Sequence, residues 1–358
     1  MDRRRFLFAS MAAATPSLAS ARTELHPGQL LITGFRGTKP GDAEVDKVCK
    51  MLDEGHCAGV ILLRRNCISP EQISLISQTF RDAAGALTPV ISIDQEGGRV
   101  ARLDANNGFF DWMSACAISD SGMSEAEIES YWTKRAWQLS DVGINLNFAP
   151  VVDLNLNPDN PIIGKLGRAY GSEPDQVFRM AELFVRSHRA AGVKTSLKHF
   201  PGHGSSTVDS HKDAVDISRS WKEIEFEPFR KMVRAKLTDS VMIGHLLHPS
   251  FSDEPWMPAS LSWRSVNAIR EMLGFQGIVI TDDMQMAAVD DLLPLGAAAV
   301  AAVNAGNTFL IYSNYRKSDH IDTVKRVAAA LVDSMGQMSP ASIANQIMLA
   351  NEFRSHLQ

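Results

Sequence analysis

The side chains best suited to chemistry in this 358-residue chain stand where short apolar runs end. Asp94, Asp153 and His245 each follow such a run, Lys198 closes a fourth, and Asp282 comes directly after a fifth, Ile-Val-Ile-Thr. A single charge in such a place is commonly a capping or surface group. Titratable groups at five exits exceed what packing requires, because a hydrophobic core needs none of them. We therefore expect them to share one site.

Two groups of residues indicate catalysis. Asp209 and His211 are two residues apart in a Gly/Ser-rich segment, so their side chains can point the same way and pair. A carboxylate beside an imidazole fixes its tautomer and makes it a proton shuttle near neutral pH. Asp282, at the end of an apolar strand, is placed to act as a nucleophile.

A metal site is the competing hypothesis for the same segment. His199, His203, Asp209 and His211 lie close together in the sequence, and imidazole and carboxylate groups are zinc ligands. The surrounding glycines and serines make a poor platform for a preformed metal site. The sequence therefore favours no metal and no cofactor.

The elements that must position these residues alternate between strands and helices. Amphipathic patterns separate the apolar runs, and one of them has Ser69 as its N-cap and Pro70 at its first helical position. The helical patterns cover Ala43–Glu54, Pro70–Ala86, Ser124–Val142, Glu173–Ala191, Ser220–Ala235 and Arg264–Leu273. The strand runs are Gln29–Phe35, Gly59–Leu63, Pro89–Ile93, Ile144–Val152, Lys194–Lys198, Ser240–Gly244, Gly277–Thr281 and Thr308–Tyr312.

Eight such units predict an α/β fold, a (β/α)8 TIM barrel forming a single domain with long active-site loops. Nearly continuous apolar strands are typical of parallel sheets buried on both faces. The alternative is an open doubly wound sheet, which usually carries a glycine-rich phosphate loop after its first strand. Gly34-Phe35-Arg36-Gly37 lacks that pattern. In a barrel, the chemistry lies at the carboxyl ends of the strands.

Composition excludes several classes of protein. The chain is 45% hydrophobic and 22% charged, an ordinary globular mixture, and its formal net charge of -5 lacks the basic character of a nucleic-acid binder. Its four cysteines show no CxxC spacing and are expected to be free thiols or small buried side chains.

The first 21 residues have the pattern of an export signal. Arg3, Arg4 and Arg5 precede an uncharged run that ends in Ala19-Ser20-Ala21, an A-x-A cleavage pattern. The run is too short for stable membrane insertion. Paired arginines before a mild Ala/Ser-rich core indicate the twin-arginine route, with the export machinery as partner. We expect a periplasmic protein in which residues 22–358 form the catalytic domain.

Five motifs of the sequence are specific enough to compare with known families. They are Lys198-His-Phe-Pro-Gly-His-Gly204, Asp209-Ser-His211, Ile93-Asp-Gln-Glu-Gly-Gly-Arg-Val100, Asn147-Phe-Ala-Pro-Val-Val-Asp-Leu154 and Ile280-Thr-Asp-Asp-Met284. Together they resemble glycoside hydrolase family 3, and within it the single-domain β-N-acetylglucosaminidase branch. The resemblance runs in the same order from about Gln29 to Tyr312.

The resemblance implies a retaining exo-β-N-acetylglucosaminidase with a carbohydrate substrate and a covalent glycosyl-enzyme intermediate. It implies that Asp282 is the nucleophile and that His211 is the acid/base, with Asp209 as its partner. Asp283 would then brace the loop or pair with a neighbouring base. The sugar-binding positions of the family correspond to Asp94, Arg102, Arg168, Lys198 and His199.

Three alternative functions remain open from the sequence. A β-glucosidase or a phosphate-using enzyme of the same family would carry the same strand-end residues. From a different class, a sugar-binding barrel without catalysis is disfavoured because Asp282, Asp209 and His211 are all present. The loop also departs from many members at Ser205-Ser206, where they have Asp-Thr.

Overall fold

Eight parallel strands close into a barrel, in the order β1-β10-β9-β7-β5-β4-β3-β2. The computed structural model describes residues 26–208, 215–336 and 338–358. Because β1 pairs with both β2 and β10, the sheet is closed, which confirms the predicted barrel and excludes the open doubly wound sheet. The strands are β1 (Leu31–Thr33), β2 (Gly59–Leu62), β3 (Val90–Ile93), β4 (Leu146–Asn147), β5 (Lys194–Phe200), β6 (Val215–Asp216), β7 (Ser240–Ile243), β8 (Leu246–Leu247), β9 (Ile278–Asp283) and β10 (Phe309–Tyr312).

Helices surround the barrel and begin where the local sequence predicts. Ser69 accepts a hydrogen bond from the Gln72 amide at 3.2 Å, so it caps α2 as expected. The helices are α1 (Ala43–Asp53), α2 (Pro70–Ala83), α3 (Ala115–Ser119), α4 (Glu125–Asp141), α5 (Pro174–Ala190), α6 (Glu227–Arg234), α7 (Trp263–Glu271), α8 (Ala287–Asp290), α9 (Leu295–Ala305), α10 (Asp322–Asp333) and α11 (Pro340–Ser355). Among the described residues, no helix is both long and apolar enough to cross a membrane.

Several elements are shorter than predicted, and for two of them the backbone shows the cause. The fourth barrel strand has only two residues instead of the nine predicted over Ile144–Val152. Pro150 has no N–H to donate, so the regular hydrogen-bond ladder cannot run through it. The helix predicted over Ser220–Ala235 begins only at Glu227, because Glu223–Phe226 forms a tighter 3-10 turn before Pro228.

Two strands are longer than predicted, and both extensions carry site residues. β5 continues past Lys198 to Phe200, and β9 continues past Thr281 to Asp283. His199 and Asp282 are therefore held by the sheet rather than by the loops that follow. β6 and β8 form a separate two-stranded parallel sheet beyond the barrel rim, which the sequence did not predict.

Candidate active site

A pocket of about 610 Å³ opens at the carboxyl ends of the barrel strands. It brings together six of the eight predicted site residues: Asp94, Arg102, Arg168, Lys198, His199 and Asp282. The other two, Asp209 and His211, lie outside the described residues. Apolar side chains complete its wall, among them Ile61, Leu63, Val100, Phe148, Ile162, Met242, Met286 and Ile311.

Asp94 connects two cations across the pocket. Its Oδ1 accepts from Lys198 Nζ at 2.9 Å, and its Oδ2 accepts from Arg102 Nη2 at 3.2 Å. Asp94 follows β3 directly, whereas Lys198 lies in β5, two strands away in the barrel. Barrel closure therefore places on one surface groups that are 104 residues apart in sequence.

Glu96 is the buried counter-ion beneath these groups, and the sequence did not single it out. Its carboxylate accepts two bonds from Arg168, at 2.7 Å from Nε and 2.8 Å from Nη2, and lies 2.6 Å from Lys198 Nζ. All three side chains are less than a tenth exposed. The bidentate geometry fixes the guanidinium plane as well as its position. Glu96 stands only two residues after Asp94, and that proximity was the available signal.

Charge pairing keeps the network ionised despite its burial. Burial favours the neutral carboxyl, but Arg168 and Lys198 hold the pKa of Glu96 well below its usual range. Burial likewise disfavours the Lys198 ammonium, yet Asp94 and Glu96 keep its pKa above the ordinary lysine value. The cationic groups are therefore charged and fixed before any ligand enters.

A second buried acid, Asp153, orients the loop that follows β5. Its Oδ2 lies 2.7 Å from His199 Nδ1, and its Oδ1 accepts from the backbone amides of His199 and His203, at 3.1 and 2.9 Å. Burial would raise the pKa of Asp153, but His199 beside it holds that pKa below its usual range. His199 therefore presents Nε2 toward the pocket, 3.3 Å from Arg168 Nη2. Asp153 was expected at the shared site, and it acts there as a support rather than as a lining residue.

His203 is part of that support. Burial lowers its pKa to about 4, so its ring is neutral at pH 7, and its Nδ1 lies 2.7 Å from Ser206 Oγ. Asn160 donates to the His203 carbonyl at 2.7 Å. A side chain at Gly204 would come within 1.6 Å of the Leu154 carbonyl, so glycine allows the loops after β4 and β5 to touch.

The adjacent acids of β9 differ in surroundings. Asp282 lines the pocket, and its Oδ1 accepts from the Asp283 amide at 2.8 Å. Asp283 accepts from Ser313 through both the backbone amide, at 3.1 Å, and the hydroxyl, and from the Gln285 amide at 3.1 Å. Asp283 thus ties the end of β9 to the end of β10.

Burial raises the pKa of Asp283 to about 6, and the nearby negative charge of Asp282 acts in the same direction. Behind this pair, His245 donates from Nε2 to the Asp283 carbonyl at 2.9 Å and contacts Ser260 Oγ at 2.6 Å. His245, expected at the shared site, therefore does not line the pocket and instead supports β9.

No group of three or more potential metal ligands occurs among residues 26–208, 215–336 and 338–358. The two described histidines of the competing zinc hypothesis face other partners through Nδ1: His199 faces Asp153, and His203 faces Ser206. What the pocket offers instead is a carboxylate beside fixed cations and hydrogen-bonding groups. Such groups can bind hydroxyls through charge-assisted hydrogen bonds, and the carboxylate of Asp282 lines the same pocket.

Comparison with known proteins agrees with this description. Residues 23–346 match the family model "Glycosyl hydrolase family 3 N terminal domain". A β-hexosaminidase of Tolumonas auensis is 35% identical over 82% of this chain and 83% of its own length. Among solved structures, a family 3 β-N-acetylglucosaminidase from Paenibacillus is 32% identical with a TM-score of 0.82, and a β-N-acetylhexosaminidase from Beutenbergia cavernae is 26% identical with a TM-score of 0.80.

The extent of these matches differs. This chain covers 96% of the Beutenbergia protein but only 63% of the Paenibacillus protein, with 93% of this chain aligned in each case. A closed (β/α)8 barrel with a carboxylate and fixed cations at its mouth, together with these relatives, defines a glycoside hydrolase, as the sequence predicted. More specifically, the chain belongs to glycosyl hydrolase family 3.

Proposed function

We propose that this chain is a retaining exo-β-N-acetylhexosaminidase that removes terminal β-linked N-acetylhexosamine from glycans or peptidoglycan fragments. The observation that carries the proposal is the position of Asp282, whose carboxylate lines the same pocket as Asp94, Arg102, Lys198 and the other predicted sugar-binding groups. The names of the relatives support this choice of sugar: the Tolumonas protein is a β-hexosaminidase, and the two solved structures are a β-N-acetylglucosaminidase and a β-N-acetylhexosaminidase.

In the proposed first step, the Asp282 carboxylate attacks the anomeric carbon while the glycosidic C–O bond breaks. The departing oxygen takes a proton from His211, which Asp209 orients. In the second step, His211 removes a proton from water, and the resulting oxygen attacks the same carbon and releases Asp282. The two displacements leave the anomeric configuration unchanged. Asp94, Arg102, Arg168, Lys198 and His199 hold the sugar hydroxyls.

Glycosylation of Asp282 also helps the histidine change roles. The free carboxylate is negative, and the glycosyl ester is neutral. Loss of that charge lowers the pKa of a nearby imidazolium and favours its action as a base in the second step.

The decisive experiment is covalent trapping with a 2-fluoro glycosyl substrate or a 5-fluoro N-acetylhexosaminyl substrate, followed by peptide mass mapping. The label is expected on Asp282. Asp282→Asn should form no adduct, because an amide cannot form the ester, and should lose about 10⁴-fold or more in kcat. Asp283→Asn is the matched control, one residue further along the same strand, and should still be trapped. A label on Asp283 would overturn the assignment.

His211 is tested through the leaving group. His211→Ala should slow alkyl and sugar glycosides far more than nitrophenyl glycosides, because only poor leaving groups need protonation. Equal slowing of both would contradict an acid role. The sugar and the acceptor are tested together with nitrophenyl N-acetylglucosaminide and nitrophenyl glucoside, each with and without phosphate. Faster turnover of the glucoside, or dependence on phosphate, would contradict the proposed activity.

We further propose that residues 1–21 direct the catalytic domain, residues 22–358, to the periplasm by the twin-arginine route. Arg3 and Arg4 before an uncharged run and the Ala19-Ser20-Ala21 pattern support this localisation. The substrate would then be met outside the cytoplasm.

A further inference from the structure

A second pocket, of about 460 Å³, opens at the opposite end of the barrel from the active site. Gln276 and Gly306, which line it, immediately precede the regions where β9 and β10 begin, whereas Asp282 lies at the far end of β9. The rise along a strand is about 3.3 Å per residue, so Gln276 and Asp282 are about 20 Å apart. A molecule in this second pocket leaves the active site open.

The wall of this pocket combines one large aromatic face with side-chain amides. Trp263, the first residue of α7, is 57% exposed. Asn267 stands one helical turn further along α7, Asn304 lies near the end of α9, and Asn345 lies on α11. Among the described residues, none of these three asparagine side chains has a hydrogen-bonding partner. Each amide therefore presents both a donor and an acceptor to the pocket.

Charged groups contribute little to the lining of this pocket. No acid is among the described residues that line it, so they offer no carboxylate to a cation. Its one charged group, Arg270, directs Nη1 to the carbonyls of Phe275 and Gly277, at 2.8 and 2.7 Å. That guanidinium nitrogen is therefore engaged in holding the turn before β9. A neutral ligand with many hydroxyls fits the remaining chemistry.

We propose that this pocket, lined by Trp263, Asn267, Asn304 and Asn345, is a secondary binding site for a neutral glycan chain. A pyranose has an apolar C–H face that can stack on an indole and a rim of hydroxyls that donate and accept, as amides do. The pocket volume falls within the range of about 300–1,000 Å³ that is usual for small-ligand sites. Binding there keeps the enzyme on a polymer and raises the local concentration of chain ends at the active site.

The inference rests on the proposed function only for the choice of sugar in the probe. The experiment uses Asp282→Asn protein, which does not hydrolyse the ligand, titrated calorimetrically with the trisaccharide of β-1,4-linked N-acetylglucosamine and, separately, with cellotriose. Two binding events are expected with at least one probe. In the Asp282→Asn protein, the additional substitution Trp263→Ala should abolish the binding event in the second pocket or weaken it by at least about tenfold. Asn345→Ala, at an exposed position, should weaken the same event.

Trp137→Ala is the matched control, because Trp137 is 47% exposed on α4 and lines none of the pockets described above. In the otherwise wild-type enzyme, Trp263→Ala should reduce retention on insoluble β-1,4-linked polymer by about tenfold. Its kcat/KM on a nitrophenyl N-acetylglucosaminide should stay within about twofold of wild type, since the pocket is remote from the chemistry. Absence of hydrolysis by wild type would refute the proposed function and leave the binding result intact.

Two outcomes would overturn the secondary site. One is equal binding and retention by Trp263→Ala and Trp137→Ala. The other is displacement of the weaker glycan event by inorganic phosphate, which would make Arg270 the anchor and an anion the ligand.

Discussion

Replacing Glu96 with glutamine tests whether a buried carboxylate holds the active-site cations in place. The substitution keeps the shape of the side chain but removes the charge that Arg168 and Lys198 share. Breaking a buried ion pair from one side costs about 3–5 kcal/mol, because the remaining charges stay buried and uncompensated. Lys198 retains Asp94 at 2.9 Å, and the glutamine oxygen still accepts one bond from Arg168, so the lower limit applies. We expect a loss of about 3 kcal/mol in the free energy of unfolding.

The matched control is Glu44→Gln. Glu44 pairs with Arg36 at 3.5 Å near the surface, with side chains 23% and 34% exposed. Such exposed pairs contribute at most about 1 kcal/mol. At about 2.1 cal/mol/K per residue, a domain of this size has an unfolding entropy of about 0.7 kcal/mol/K, so the midpoint of thermal unfolding should fall by about 4 °C for Glu96→Gln and by at most about 1.5 °C for Glu44→Gln. Equal shifts would refute the reasoning.

The pH dependence gives a second measurement of the same effect. Glu96 has a folded-state pKa lowered from 4.5, so the folded protein binds fewer protons than the unfolded chain below about that pH. The stability that Glu96 contributes is therefore present above the unfolded pKa and is lost as the pH falls toward the folded value. As the pH rises from about 3 to 5, the difference in unfolding free energy between wild type and Glu96→Gln should grow. Above about pH 5 the difference should stay constant. A difference independent of pH would mean that packing, not charge, accounts for the loss.

Three further outcomes are expected. The pKa of Asp283 is raised from 3.8 to about 6, so the folded protein favours the protonated side chain. As the pH rises from 4 to 7, the free energy of unfolding of wild type should therefore fall by up to about 3 kcal/mol relative to that of Asp283→Asn. Parallel curves of unfolding free energy against pH for the two proteins would contradict this. Replacing Arg3 and Arg4 with lysine should keep the protein in the cytosol, and unchanged periplasmic activity would exclude the twin-arginine route. Prolonged dialysis against a chelator should leave activity unchanged, and a loss restored by zinc would revive the metal hypothesis.

The sequence alone predicted the barrel, because eight nearly continuous apolar runs are typical of parallel strands that are buried on both faces. It was less accurate where backbone chemistry interrupts a run. Pro150 shortens β4 although Val151 and Val152 continue the apolar pattern. Conversely, β9 extends through two acids, which hydrophobicity alone assigns to a loop.

For the site, the strand ends predicted which polar groups meet but not how they pair. Nothing in the spacing indicates that Arg168, in the loop after β4, donates to Glu96 from both Nε and Nη2. Asp153 and His245 were visible as strand-end groups, yet their roles as supports depend on three-dimensional neighbours. Such pairings depend on loop geometry, and local sequence patterns carry little of that information.

Because the first and last barrel strands pair, the barrel can close only after the last strand has been synthesised. Leu31 in β1 aligns with Leu310 in β10, so a nascent chain has made seven of the eight barrel strands before β1 meets its second neighbour. Until then, β1 and β9 each keep an unpaired edge, and such edges bind other strands readily. Asn314 then donates to the Gly34 carbonyl at 2.7 Å and joins the two ends of the barrel. A chain that ends before residue 309 would keep the edges of β1 and β9 unpaired. Such a truncated chain is expected to aggregate rather than to fold into a smaller active enzyme.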